Sequence, residues 1–300
     1  MIAFVNRVAA QIAPLHPQVL IDTLAYAHTF EPPRSQVTLP NVVVRVAPLY
    51  QRNFAAPVTA PSNREVRSAL EGWRRHTRHL RVWDYAVAFG PEGDLPLPNL
   101  ATIAEDLRFY RGLGVEGVFM QHAHPVGADM RDLKQWVLTK LLEDPTRSTE
   151  ALVDEFSAGF YGPAGKWVRR YLTRLERAAR RRPARIGFPV SWADYVYLDT
   201  AFLLEGQRIF DRAARSVADE PALAERVDHA RLTLDRATLI LAATGSVDEA
   251  RELDAVDLAA LRRRYRATWL REVERRLPPR ERASAVASME AELLERVRSP

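Results

Sequence analysis

The chain has no cysteine, only three lysines, 13 glycines, and no apolar run approaching the roughly 20 residues that cross a bilayer. Without cysteine there is no disulfide framework, no thiolate metal site and no cysteine nucleophile. Without glycine patterns of the G-x-S-x-G, Walker or dinucleotide kind, the serine-hydrolase, nucleotide-hydrolase and Rossmann readings lose their usual support. Residues 1–17 hold no basic stretch leading into an unbroken apolar core, so no secretory signal is read there. The chain as written reads as cytoplasmic, or as exported if a further N-terminal segment precedes it. Because lysine is scarce, the formal charge of +5 rests almost wholly on arginine, a bias that is weak evidence for any partner. The arginine-rich residues 169–182 show no aromatic interleaving of the kind that marks a base-stacking surface. Neither a nucleic acid, nor a membrane, nor a cofactor is expected as a partner.

What is present is a globular composition: 300 residues, 47% apolar and 27% charged, enough for one large domain or two ordinary ones. Phe4, Val5, Val8, Ala9 and Ile12 recur at helical spacing. The chain thus opens inside a helix with no room for a cap, as if a longer protein had been cut. Residues 19–25, 42–47, 80–85 and 115–121 are short apolar runs, the signature of parallel strands covered on both faces. Helices are expected over 63–77, 99–110 and 130–141, capped at Ser62 or Asn63 and at Asn99, and stopped by Gly112, Gly114 and Pro145. Residues 26–41 hold three prolines and no helical pattern. From Thr149 onward every periodic segment is helical, the long pattern over 247–274 with possible breaks. The expected architecture is α/β followed by all-α, with a βα domain over 1–145 and a helical domain over 146–300.

Parallel α/β folds meet ligands at the C-terminal ends of their strands. There the four runs present Tyr26 and His28, Tyr50 and Arg52, Asp84 and Tyr85, and Gln121 and His122. An acid, imidazoles, a guanidinium, an amide and phenols suit hydrogen bonding to a polyhydroxylated ligand, with Trp83 or Tyr85 as a stacking face. Asp84 is the expected catalytic carboxylate, a general base or sugar-orienting group. Tyr26, His28, Arg52, Tyr85, Gln121 and His122 are the expected binding groups. A strand-end acid serves equally well to hold a neighbouring loop. His122 and His124 with Asp129 are metal-ligand types at an unspecific spacing, and no metal site is expected.

Motifs occurring in order carry a resemblance. They are Phe4-Val5-Asn6-Arg7-Val8-Ala9, Thr23-Leu24-Ala25-Tyr26, Pro32-Pro33, Asn41-Val42-Val43-Val44-Arg45, Trp83-Asp84-Tyr85, Pro98-Asn99, Gly114-Val115-Glu116-Gly117-Val118-Phe119, Lys140-Leu141-Leu142-Glu143-Asp144-Pro145 and Phe160-Tyr161-Gly162-Pro163-Ala164. Together they resemble a bacterial family known as a domain of unknown function, number four-eight-three-eight. Its members look like glycoside hydrolases of the α-glucuronidase and hexosaminidase type, a (β/α)8 TIM barrel followed by helices. The resemblance implies that the four strands are the last four of eight, the acid that protonates the leaving oxygen lying upstream of Met1. Where the family's last strand is expected to run Gly-Val-Phe-Glu-Gln, this chain has Gly117-Val118-Phe119-Met120-Gln121, and methionine transfers no proton.

The implied function is that of a carbohydrate-active, glycoside-hydrolase-like protein. The alternative is a non-catalytic carbohydrate-binding or protein-interaction module. Hydrolysis uses two carboxylates, and beside Asp84 only Glu31 is on offer. The open edges of such a half barrel, residues 19–25 and 115–121, imply self-association. If Asp84 serves a ligand, Asp84→Asn removes binding and leaves the thermal midpoint nearly unchanged.

Overall fold

The computed structural model describes residues 1–90, 92–122 and 126–298. Strands β1 (Ile21–Ala25), β2 (Val42–Val46), β3 (His79–Tyr85) and β4 (Gly117–Gln121) pair in parallel in the order in which they occur. They coincide with the four apolar runs. Leu24 lies opposite Arg45, Arg45 opposite Arg81, and Arg81 opposite Gly117. Helix α1 (Ile2–Ile12) precedes the sheet, α2 (Arg64–His76) joins β2 to β3, α3 (Leu100–Leu113) joins β3 to β4, and α4 (Arg131–Glu143) follows. The proline-bearing connection between β1 and β2 holds a single 3-10 turn, Ala27–Thr29.

Alternate strand residues point to opposite faces. Val44, Val46, Leu80 and Val82 belong to one face and share a core with Leu70 and Trp73 of α2 and Ile103 and Leu107 of α3. The other face carries Arg45, Arg81 and Trp83, with Leu24 42% and Phe119 47% exposed. Cover on both faces, which the apolar runs suggest, is therefore corrected to cover on one. Strands laid down in sequential order send their right-handed crossovers to the same side, and a second layer of helices needs the winding to reverse. Among the described residues β1 and β4 each pair on one side only.

Among the described residues seven further helices follow: α5 (Thr149–Tyr161), α6 (Gly165–Arg181), α7 (Thr200–Arg215), α8 (Pro221–Thr244), α9 (Val247–Glu252), α10 (Leu258–Arg276) and α11 (Pro279–Arg298). The break in the long pattern falls at a 3-10 turn, Leu253–Ala255. Helix α8 is buried nearly all round from Val227 to Leu241, and its buried polar residues Arg231 and Asp235 are paired. One apolar cluster runs from Ile2 through the sheet to Leu253, so the βα layer and the helices share a core. No helix of the described residues is long and apolar enough to cross a membrane.

Two expected helix caps do other work. Asn63 precedes α2 without a capping bond; its Oδ1 accepts from the Asn53 amide at 2.7 Å and its Nδ2 donates to the Ala56 carbonyl at 2.8 Å. Asn99 precedes α3 and donates to the carbonyl of Ala86 at 2.9 Å. Both side chains hold the loops that leave the strand ends, where a buried carbonyl without a donor would be costly.

Candidate functional site

A cavity of about 350 Å³ opens at the C-terminal ends of the strands, lined by Leu24, Tyr26, Ala47, Leu49, Trp83, Tyr85, Phe89, Gln121 and Phe188. Its floor is the face of the sheet turned away from the helices, since Trp83 and Tyr85 have the same parity as half-buried Arg81. Trp83 Nε1 donates to Gln121 Oε1 at 2.9 Å, and Phe119 meets the indole edge-on at 4.7 Å between ring centres. Tyr26 and Tyr50 lie 5.5 Å apart, and Tyr50 meets Phe188 edge-on at 5.3 Å. A hydrogen bond with Tyr50, then burial, raises the Tyr26 phenol. Burial, then the charges of Tyr26 and Asp84, raise Tyr85 further. Both phenols stay protonated near neutrality, so the lining is aromatic, hydrogen-bonding and uncharged.

One wall comes from far along the chain. The Phe54 amide donates to the Ile186 carbonyl at 2.7 Å, and the Ile186 amide to Asn53 Oδ1 at 3.0 Å. The Val190 amide donates to the Phe89 carbonyl at 2.9 Å, and Tyr197 Oη to the Pro96 carbonyl at 2.8 Å. These bonds hold Phe188 against Tyr50. Gly90 makes the approach possible: its φ is +145°, and a Cβ there would lie 2.3 Å from the Val190 carbonyl oxygen. Gly90→Ala is expected to cost about 1–3 kcal/mol from backbone strain and to detach this wall. A lowered thermal midpoint together with increased accessibility of Phe188 checks it; an unchanged midpoint counts against it.

The structure brings Tyr26, Tyr85 and Gln121 together around this cavity. His122 lines an adjoining cavity of about 450 Å³ with Phe89, Asp94 and Gln121. His28 is exposed on its 3-10 turn, and Glu31 is exposed, its carboxyl raised by partial burial and then by the charge of Glu65. Asp84 and Arg52 are elsewhere. Asp84 shares the parity of Leu80 and Val82, so its side chain lies on the helix-covered face, 1% exposed. It accepts from Tyr110 Oη of α3 at 2.6 Å and from the Tyr85 amide at 2.9 Å. Arg52, 2% exposed, sits with Nε 3.7 Å from Asp84, donates to the Ala56 carbonyl at 3.0 Å, and pairs closely with Asp106 of α3. Burial opposes its charge, but Asp84 and Asp106 more than offset that and raise its pKa.

The metal-ligand types noted in the sequence are His122, His124 and Asp129, of which His122 and Asp129 fall among the described residues. His124 lies outside them. Asp129 is buried, 2.8 Å from Lys134, and accepts from the Leu97 amide at 3.1 Å and Thr233 Oγ1 at 3.0 Å. Among the described residues no group of three or more histidine or acidic side chains could hold a metal ion.

Phe89, Leu49 and Phe188 of the cavity, and Asp106 and Tyr110 of the network, are residues that sequence reasoning did not reach. For the last two a signal was present: Ile103, Asp106 and Tyr110 recur at helical spacing on the inward stripe of α3.

Among curated proteins none matches this chain. A family model described as Domain of unknown function (DUF4838) matches residues 1–173, a span that holds all four strands and every cavity-lining residue except Phe188. The chain belongs to that family.

Proposed function

We propose that the aromatic cavity binds a neutral carbohydrate and that its own side chains do not hydrolyse it. The observation that carries this reading is the lining: tyrosines, a tryptophan fixed by a glutamine, and phenylalanines, with no acid and no base among the described residues that form it. Flat aromatic faces suit the apolar face of a pyranose, while Tyr26, Tyr85 and Gln121 supply hydrogen bonds to hydroxyls. Hydrolysis asks for two carboxylates flanking the scissile bond. The nearest acid in sequence, Asp84, turns to the opposite face and is engaged by Tyr110 and Arg52. A uronate would find no counter-charge in this lining.

Sequential parallel order, one face without a layer of helices and, among the described residues, two unpaired edges support reading the sheet as part of a (β/α)8 barrel wall. On that reading the cavity sits at the C-terminal face, where such barrels keep their sites.

Isothermal titration calorimetry with neutral hexose, N-acetylhexosamine and hexuronic acid oligosaccharides tests this. Neutral sugars should bind and uronates should not, with no reducing ends released. Trp83→Ala should weaken binding about tenfold or more, equivalent to about 1.4 kcal/mol, with a cooperative thermal transition retained. Equal binding by wild type and Trp83→Ala would sink the proposal.

A further inference from the structure

The uncovered face of the sheet has a charge left over. Asp22 lies 2.6 Å from Arg45 but 3.8 Å from Arg81, one carboxylate for two guanidinium groups. His79 is taken by Glu116 at 2.8 Å. Among the described residues the Arg81 side chain makes no hydrogen bond, and Asp22 is its one ion-pair partner. Its side chain lies against Gly117 of β4, where a Cβ would sit at an ordinary contact distance, 3.7 Å from Arg81 Cδ. Two residues further along the same edge, Phe119 stands 47% exposed.

A strand laid along β4 therefore meets a cation first and an aromatic ring two residues later. Same-face residues on a strand are spaced by two, so the complementary strand carries an acid followed at the second position by an apolar residue. β1 has this pattern on its uncovered face: Asp22, 35% exposed, then Leu24, 42% exposed. Its outer edge is unpaired as well among the described residues. We propose that β1 of a second copy pairs in parallel with β4, setting its Asp22 against Arg81 and its Leu24 against Phe119. A two-fold axis repeats the pairing on the other side, so two copies close both pairs of edges that a single copy leaves open. Each Asp22 then serves Arg45 of its own chain and Arg81 of the other.

Size-exclusion chromatography with light scattering on the full chain tests this through a charge swap. Wild type should run as a dimer that dissociates on dilution. Asp22→Lys and Arg81→Glu should each run as monomers with their thermal transitions retained. An equimolar mixture of the two variants should recover a dimer, since one of its two junctions is wild type and the other joins the two substituted positions, whose charges are exchanged but still opposite. If either variant loses its thermal transition, Asp22→Asn and Arg81→Gln replace the pair and should weaken the dimer. A wild-type monomer at every concentration overturns the proposal, as does a dimer indifferent to these charges. Sugar binding by the monomeric variants is a separate readout and is expected to persist, so the two proposals fail independently.

Discussion

Arg52→Met is expected to destabilise the protein by about 3–5 kcal/mol, the usual consequence of removing one member of a buried ion pair. Total stabilities of about 5–15 kcal/mol make that a large fraction of the fold. The loss arises because Asp84 and Asp106, both 1% exposed, would be left with no cation between them, and staying buried would require proton uptake instead of ion pairing. It should shrink in the triple variant Arg52→Met, Asp84→Asn, Asp106→Asn, where the charges leave together. Denaturant unfolding near neutral pH reads both effects. A loss below about 1 kcal/mol for Arg52→Met, in the range of an exposed pair, would mean that water reaches the network in solution.

Stability should also fall as the solution becomes more alkaline between about pH 5 and pH 8. Burial first, then the charge of Asp84, outweigh Arg52 and push the Asp106 carboxyl up to about 7. In the unfolded chain an aspartate titrates near about 3.9. The folded form therefore holds this proton more tightly, and the stabilisation is complete below the unfolded value and lost as pH rises through the folded one. The steepest slope is bounded by about 1.4 kcal/mol per pH unit for one proton. Asp228, raised by burial, adds to the same trend. At Asp132 burial is outweighed by hydrogen bonds from His229 and Arg276; its pKa is lowered, and its contribution is lost only in stronger acid. Asp106→Asn should flatten the profile. Asp84→Asn should move the descent to lower pH, because one of the charges that raise Asp106 is gone. A profile unchanged by Asp106→Asn would assign the trend to other groups.

The strands and helices were legible because their residues obey local rules. Four apolar runs, a cap-like Asn99 and the left-handed Gly114 at the end of α3 say where elements begin and stop. Which face a strand-end residue takes is a different matter. In Leu80-Arg81-Val82-Trp83-Asp84-Tyr85, parity groups the acid with leucine and valine and the aromatics with arginine. That alternation was present, yet an apolar run read as covered on both faces hides it, and Asp84 then looks like a ligand group. The cavity's aromatic floor, Trp83 and Tyr85, lies within one strand and was visible. Its wall was not, because nothing local joins Phe188 to Tyr50; that contact depends on Asn53, Phe54 and Gly90 meeting a segment remote in sequence.

That remoteness bears on synthesis. The bond from Tyr197 to the Pro96 carbonyl spans 101 residues, and Phe188 lies beyond α6. A nascent chain that has made all four strands still shows Trp83, Tyr85 and Tyr50 without their lid, and no ligand can yet be enclosed. Until the segment carrying Phe188 clears the ribosome, the aromatic floor is a surface on which a chaperone, or another nascent chain, competes with the protein's own later residues.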